Sequence, residues 1–192
     1  MTGYRHSSNF TMCVFCGATA GTRPEYAELA RTTGRLIAER GMTLIYGGGH
    51  LGMMGEIADA ALEAGGEVIG VIPSFLIQRE IGHKGINDLI VVDSMHERKA
   101  VISERCDAIM ALPGGVGTLD ELFEAITWNQ LGLQRKPIGV LSASGYFEPL
   151  RHMLDTAECE GFVQTTTRDQ VRFADEPEAL IDALVAEAAE KQ

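Results

Sequence analysis

The chain has 192 residues, 45% of them hydrophobic, which suits one domain with a substantial core and falls short of two comfortable ones. Its 16 basic residues against 27 acidic ones give a net charge of −11, which argues against a broad basic surface for a nucleic-acid backbone and confines phosphate recognition to a local site. No run approaches the roughly 18 apolar residues that span a bilayer, and the polar start MTGYRHSSNF has no signal-peptide core, so the sequence reads as that of a soluble, cytoplasmic protein without a membrane partner.

Residues 1–8 read as a flexible segment and 9–192 as a single domain. Thr11 to Phe15 reads as a buried strand, followed by the turn Gly17-Ala18-Thr19-Ala20-Gly21. A helix opens at Pro24, a good first-turn residue, and runs to about Arg40, where Gly41 ends it. Thr43 to Tyr46 is a second strand, then come Gly47-Gly48-Gly49, a helix from Met53 to Ala64, and a strand from Glu67 to Ile72. Leu89 to Val92 and Ala108 to Leu112 are further apolar runs, with a helix over Met95 to Arg105 between them. Thr118 to Leu131 reads as a helix, Ile138 to Leu141 as a strand, Tyr146 to Glu158 and Pro177 to Ala189 as helices, and Val171 to Phe173 as a short edge strand. Short, continuously apolar strands alternating with helices predict a doubly wound, Rossmann-like α/β domain: a parallel sheet in three layers, with ligands gathering beyond the carboxyl ends of its strands.

Of the four cysteines, Cys13 and Cys16 form a C-x-x-C pair, but no second pair or nearby His completes a zinc site, and Cys13 lies inside an apolar run. Buried thiols in a reducing compartment are the better account, with no metal expected.

The most informative stretch is Leu112-Pro113-Gly114-Gly115-Val116-Gly117-Thr118-Leu119-Asp120-Glu121. Three glycines within four residues let peptide N–H groups approach an anion closely, and a helix start there favours negative charge. Thr118 sits where the helix should begin, able to cap it or to bind an anion. Glu121, three residues on, fits a capping box as readily as a catalytic carboxylate. No Gly-Lys-Ser/Thr follows, so this is no Walker loop, and the dinucleotide spacing is absent too. Upstream, Met95-His96-Glu97-Arg98-Lys99 opens a helix that Asp93 or Ser94 is placed to cap. Two cations near a helix start are electrostatically awkward, unless neighbours such as Glu97 balance them or an anionic ligand offsets the cost.

Together, Met95 to Lys99 and Pro113 to Glu121 resemble the Lonely Guy (LOG) family of cytokinin riboside 5′-monophosphate phosphoribohydrolases. Further matches are Val14-Phe15-Cys16-Gly17, Tyr46-Gly47-Gly48-Gly49, Gly52-Met53-Met54-Gly55, Ile126 to Gly132, Lys136-Pro137-Ile138-Gly139 and Gly145-Tyr146-Phe147, so nearly the whole chain is covered. The resemblance implies a catalytic pair, Arg98 and Glu121. It implies substrate binding along Gly114, Gly115, Val116, Gly117, Thr118, Leu119 and Asp120, with Lys99 as a supporting cation and with Glu80, Met95 and Thr127 as further contacts. Gly17, Thr19, Gly47, Gly48 and Gly49 are additional candidate phosphate loops; where the family has serines after Gly17, this chain has Ala18 and Thr19. The implied substrate is a nucleoside 5′-monophosphate, with no cofactor, and the implied assembly is a homodimer joined near Trp128 to Leu131. Similar folds act on plain AMP or carry molybdenum cofactor, so an AMP nucleosidase and a non-catalytic carrier are the alternatives. A pyridoxal-dependent decarboxylase is disfavoured, because Lys99 is the only lysine in a suggestive context and nothing supplies its pyridinium partner.

Overall fold

The computed structural model describes residues 10–77 and 82–190. The N-terminal segment 1–8 and the candidate substrate residue Glu80 lie outside the described residues. Seven strands form one all-parallel sheet: β1 (Thr11–Phe15), β2 (Thr43–Tyr46), β3 (Glu67–Pro73), β4 (Asp88–Val92), β5 (Ala108–Ala111), β6 (Ile138–Leu141) and β7 (Val171–Ala174), in the order β4-β3-β2-β1-β5-β6-β7. The helices are α1 (Pro24–Glu39), α2 (Gly52–Glu63), α3 (Met95–Arg105), α4 (Val116–Gln130), α5 (Glu148–Cys159), α6 (Thr165–Arg168) and α7 (Pro177–Glu190).

Both faces of the sheet are covered, which is why its central strands are apolar without alternation. Met12 and Val14 of β1, with Ala108 and Met110 of β5, join a core that includes Ile37 of α1, Ile57 of α2 and Leu180 of α7. Cys13, Phe15, Ile109 and Ala111 from the same strands face the opposite way, into a core with Ile102 of α3, Leu122 of α4 and Leu154 of α5. The side-chain period of two thus divides each strand between two layers.

From β1 the chain winds outward through β2, β3 and β4, then returns to place β5 on the other side of β1. The switch point therefore lies between β1 and β5, and it is closed at the carboxyl ends by Leu112 N–H to Phe15 O (2.9 Å) and Gly17 N–H to Pro113 O (3.1 Å).

Two helix starts differ from the sequence reading by two residues, and one short helix was not expected. Helix α4 begins at Val116 with Gly115 as its N-cap, so Thr118 is a first-turn residue and not the cap. Helix α5 begins at Glu148, after a 3₁₀ turn over Ala143–Gly145 in which Ser144 has a φ of 59°. Helix α6, only four residues of Thr and Arg, carries no apolar periodicity by which to read it. Among the described residues no helix is long and apolar enough to cross a membrane.

Candidate active site

A cleft of about 300 Å³ opens at the switch point. Its walls are the β1 exit (Cys16, Ala18, Thr19), Met54 of α2, Leu76, the start of α3 (Met95, Arg98) and the start of α4 (Gly115, Gly117, Thr118, Glu121). A recess of about 160 Å³ adjoins it across Thr19 and Gly115 and is walled by Tyr26, Met53 and Tyr146. Tyr146 helps fix the glycine turn by donating its hydroxyl to Gly114 O at 2.5 Å. A larger hollow of about 440 Å³, beside Cys106, Lys136 and Pro137, lies at the opposite, amino ends of β5 and β6 and holds none of the candidate groups.

The two helix starts that meet in the cleft are finished differently. At α3, Ser94 Oγ accepts the Glu97 N–H (3.1 Å) and the Glu97 carboxylate accepts the Asp93 N–H (2.8 Å), so this helix start is closed by its own side chains in the manner of a capping box. At α4, Gly115 offers no side-chain acceptor and the first turn holds no acid, which leaves the positive end of the helix without an internal counter-charge. A capping role for Glu121 with Thr118 is thereby ruled out. Instead Thr118 is buried, with its Oγ1 lying where a β-carbon on Gly114 would go.

Glu121 and Arg98 are both buried, and Arg98 Nη2 stands 3.5 Å from Glu121 Oε1. Arg98 Nη1 lies 3.9 Å from Met95 Sδ, and its Nε has no hydrogen-bond partner among the described residues. A buried guanidinium N–H left unpaired is costly, so the donor is suited to an incoming oxygen. Gly47 makes room for this arginine, since a β-carbon there would overlap Arg98 Nη2. The Cys16 thiol is pushed well above its ordinary range, first by burial and then by the Glu121 charge, with Arg98 opposing. It therefore stays protonated as a cleft wall. Cys13 belongs to the other core layer, so the C-x-x-C pair does not converge on a common site.

Several candidates from the sequence stand elsewhere. Lys99 is tied to α4 by Nζ contacts to Asp120 Oδ2 (2.7 Å) and Glu124 Oε2 (3.2 Å) and does not line the cleft. Burial alone would lower its ammonium pKa, but hydrogen bonds to the two acids outweigh that, and the net shift is upward. Thr127 is exposed and donates to Phe123 O (2.8 Å) on its own helix. Val116 is exposed, Leu119 packs against the core, and Asp120 faces Lys99; none of the three side chains lines the cleft. Gly47, Gly48 and Gly49 are buried: Gly48, at a φ of 75°, packs against Val71, Ile72 and Leu89, and Gly49 bridges to Gly82. Gly17 is also buried, meeting Gly114 where the β1 and β5 exits touch. Conversely, Cys16, Met54 and Leu76 were not singled out as site residues, although Cys16 and Met54 sit in motifs next to strand exits, which was the available signal.

Among the described residues, one cluster has the ligand types of a metal centre: His50, Asp59 and His83. His83 Nδ1 accepts the Gly85 N–H (3.1 Å), which places the ring proton on Nε2, and Nε2–H then donates to Asp59 Oδ1 at 2.9 Å. A ligating imidazole is arranged the other way round, with its second nitrogen donating. The cluster works as a strut between the 82–85 segment and α2.

Fold and cleft together define a doubly wound α/β protein with a buried arginine–glutamate pair beside an open helix terminus at its switch point. A family model described as possible lysine decarboxylase matches residues 54–184. A probable cytokinin riboside 5′-monophosphate phosphoribohydrolase of Oryza sativa subsp. japonica, LOGL9, is 43% identical over 185 residues, which cover 96% of this chain and 82% of that protein. A cytokinin riboside 5′-monophosphate phosphoribohydrolase of Rhodococcoides fascians is 45% identical over 175 residues, covering 91% and 88%. The chain belongs to this LOG family. Among solved structures, the molybdenum cofactor binding protein of Rippkaea orientalis superposes with a TM-score of 0.72 at 25% identity, covering 94% of this chain and 98% of that one. The molybdenum cofactor carrier protein of Chlamydomonas reinhardtii, at 23% identity and a TM-score of 0.71, shares the fold.

Proposed function

We propose that this chain hydrolyses the N-glycosidic bond of cytokinin riboside 5′-monophosphates, and of AMP, releasing free base and ribose 5-phosphate. The observation that carries the reading is the buried Arg98–Glu121 pair, with an unpaired Arg98 Nε, placed in one cleft with the uncapped start of α4. The names of the relatives point to the same chemistry.

In this account the 5′-phosphate docks on the N–H groups at Gly115, Gly117 and Thr118, where neither a capping side chain nor a first-turn acid competes. That docking fixes the ribose relative to Glu121 and converts remote binding energy into orientation at the reacting carbon. As C1′–N9 breaks, positive charge grows on the ribose; the Glu121 carboxylate stabilises it and orients or deprotonates the water that adds to C1′. Arg98 keeps its protons, so it serves as a donor to a ribose hydroxyl or phosphate oxygen and holds Glu121 ionised. Asp120, bound to Lys99 outside the cleft, is not placed to protonate the leaving base. Met54, Leu76 and Met95 supply an apolar wall for the purine.

The same reading includes a cytoplasmic homodimer. Four unpaired cysteines fit a reducing compartment. Trp128 is half-buried and lines a recess between α3 and α4, so the face available for a second copy is Phe123, Thr127 and Leu131, which are exposed and spaced by four residues. Thr127 is exposed and outside its own cleft, so in this reading it contacts substrate from the partner side of a shared site. Equilibrium sedimentation is expected to give a dimer that Leu131→Glu dissociates; a monomeric wild type would remove this part of the reading.

The activity is tested by incubating the protein with AMP and with isopentenyl- and zeatin-type monophosphates, alongside the matching nucleosides, and detecting base and ribose 5-phosphate. Release from the nucleotides and not from the nucleosides is expected. Binding without release would indicate a carrier, and equal release from both would remove the phosphate-docking step.

A further inference from the structure

The start of α3 places two cations side by side, and each takes a different partner on α4. Arg98 reaches Glu121 inside the cleft, whereas Lys99 reaches Asp120 and Glu124 on the residues that flank Glu121. Asp120 and Glu124 are four apart on one helical face, where like charges repel, and Glu121 adds a third carboxylate within the same two turns. The Lys99 side chain is only 10% exposed, so its ammonium has exchanged most of its water for these two acids. Behind Glu121 lies a small recess of about 20 Å³, lined by Lys99, Glu124 and Trp128, and Glu121 is the residue that borders both this recess and the cleft. Lys99 therefore works from the far side of Glu121, away from the phosphate-docking turn. The electrostatic cost of two cations at a helix start is offset by the carboxylates of α4.

We propose that Lys99 is a positioning residue: by clamping Asp120 and Glu124 it fixes the first two turns of α4 so that the Glu121 carboxylate is held in the cleft against Arg98, and it makes no contact with the substrate phosphate. This rests on the proposed hydrolysis, and it reassigns a residue whose place in the motif implied anion binding. A clamp acts on the reacting geometry alone, so its loss reduces turnover and spares phosphate binding; loss of a phosphate ligand weakens phosphate binding, whatever it does to turnover.

The test is steady-state kinetics on the full chain for Lys99→Met, Lys99→Arg and Asp120→Asn/Glu124→Gln, with inhibition by ribose 5-phosphate as a separate readout of phosphate binding. Lys99→Met is expected to lower kcat by about tenfold or more while KM and the inhibition constant stay within about twofold. Lys99→Arg, which keeps the charge, should recover most of the loss. The double variant removes the clamp from the α4 side and should reproduce the Lys99→Met pattern, which keeps the test decisive if Lys99→Met fails to fold. Ribose 5-phosphate inhibition weakened about fivefold or more, with or without a loss of kcat, would overturn the proposal, as would a double variant with wild-type kcat. Glu121→Gln, measured in parallel, separates the two levels: full activity in that variant would contradict the carboxylate mechanism itself, whatever Lys99 does.

Discussion

Two glycine-rich turns leave the carboxyl edge of the sheet, and they serve opposite ends. Gly47, Gly48 and Gly49 follow β2 and are buried; packing accounts for the first two, as room for Arg98 and as a left-handed turn against Val71, Ile72 and Leu89, and Gly49 bridges to Gly82. Gly115 and Gly117 follow β5 and are exposed, and a β-carbon on either would meet nothing within 4 Å. Packing explains Gly47 and Gly48 in the first turn and Gly114 in the second, where Thr118 Oγ1 takes the place of a β-carbon, but it leaves Gly115 and Gly117 unexplained. The second turn also borders the β1/β5 switch and runs directly into the uncapped start of α4. A glycine turn points to a site when neither crowding nor backbone conformation requires its glycines, and when a helix terminus lies beneath it.

The largest effect expected from breaking this contrast is at Gly47, because its β-carbon would displace Arg98. Gly47→Ala should lower kcat/KM for a nucleotide by about a hundredfold, the usual cost of misplacing a reacting group by an ångström, with a native far-UV spectrum. Gly48→Ala should act on the fold: the strained φ and close contacts are worth about 1–3 kcal/mol in denaturant unfolding, while KM of the folded fraction stays near wild type. Gly117→Ala should have the smallest effect and an opposite pairing. Stability rises by about 0.5 kcal/mol from helix propensity, while KM for nucleotides rises several-fold and turnover of saturated enzyme is kept. A Gly117→Ala variant with unchanged KM would erase the distinction between the two turns.

The fold was largely legible because the sheet is buried on both faces: β1, β2, β5 and β6 are unbroken apolar runs closed by turn residues, and even the short edge strand β7 lies within a residue of its expected bounds. The start of α4 lies two residues before the expected one because Thr118 looks like a preferred cap, whereas Gly115 occupies the N-cap position without a capping side chain and Thr118 is drawn beneath Gly114. Arg98 and Glu121 could be singled out from their motifs, and the structure brings them together. The partners of Lys99 could not be read, since Asp120 and Glu124 reach it only through the packing of α3 on α4. Nor could the burial of Gly47 to Gly49, whose local signature matches that of the turn after β5.

In the proposed reaction the Glu121 carboxylate does the chemistry on a nucleotide anchored at the start of α4. The most direct test is Glu121→Gln, which keeps the shape and removes the charge, assayed for base release from AMP and from an isopentenyl-type monophosphate, with ribose 5-phosphate binding measured alongside. A loss of kcat of about a hundredfold or more is expected, with ribose 5-phosphate still bound. Turnover within a few-fold of wild type would contradict it.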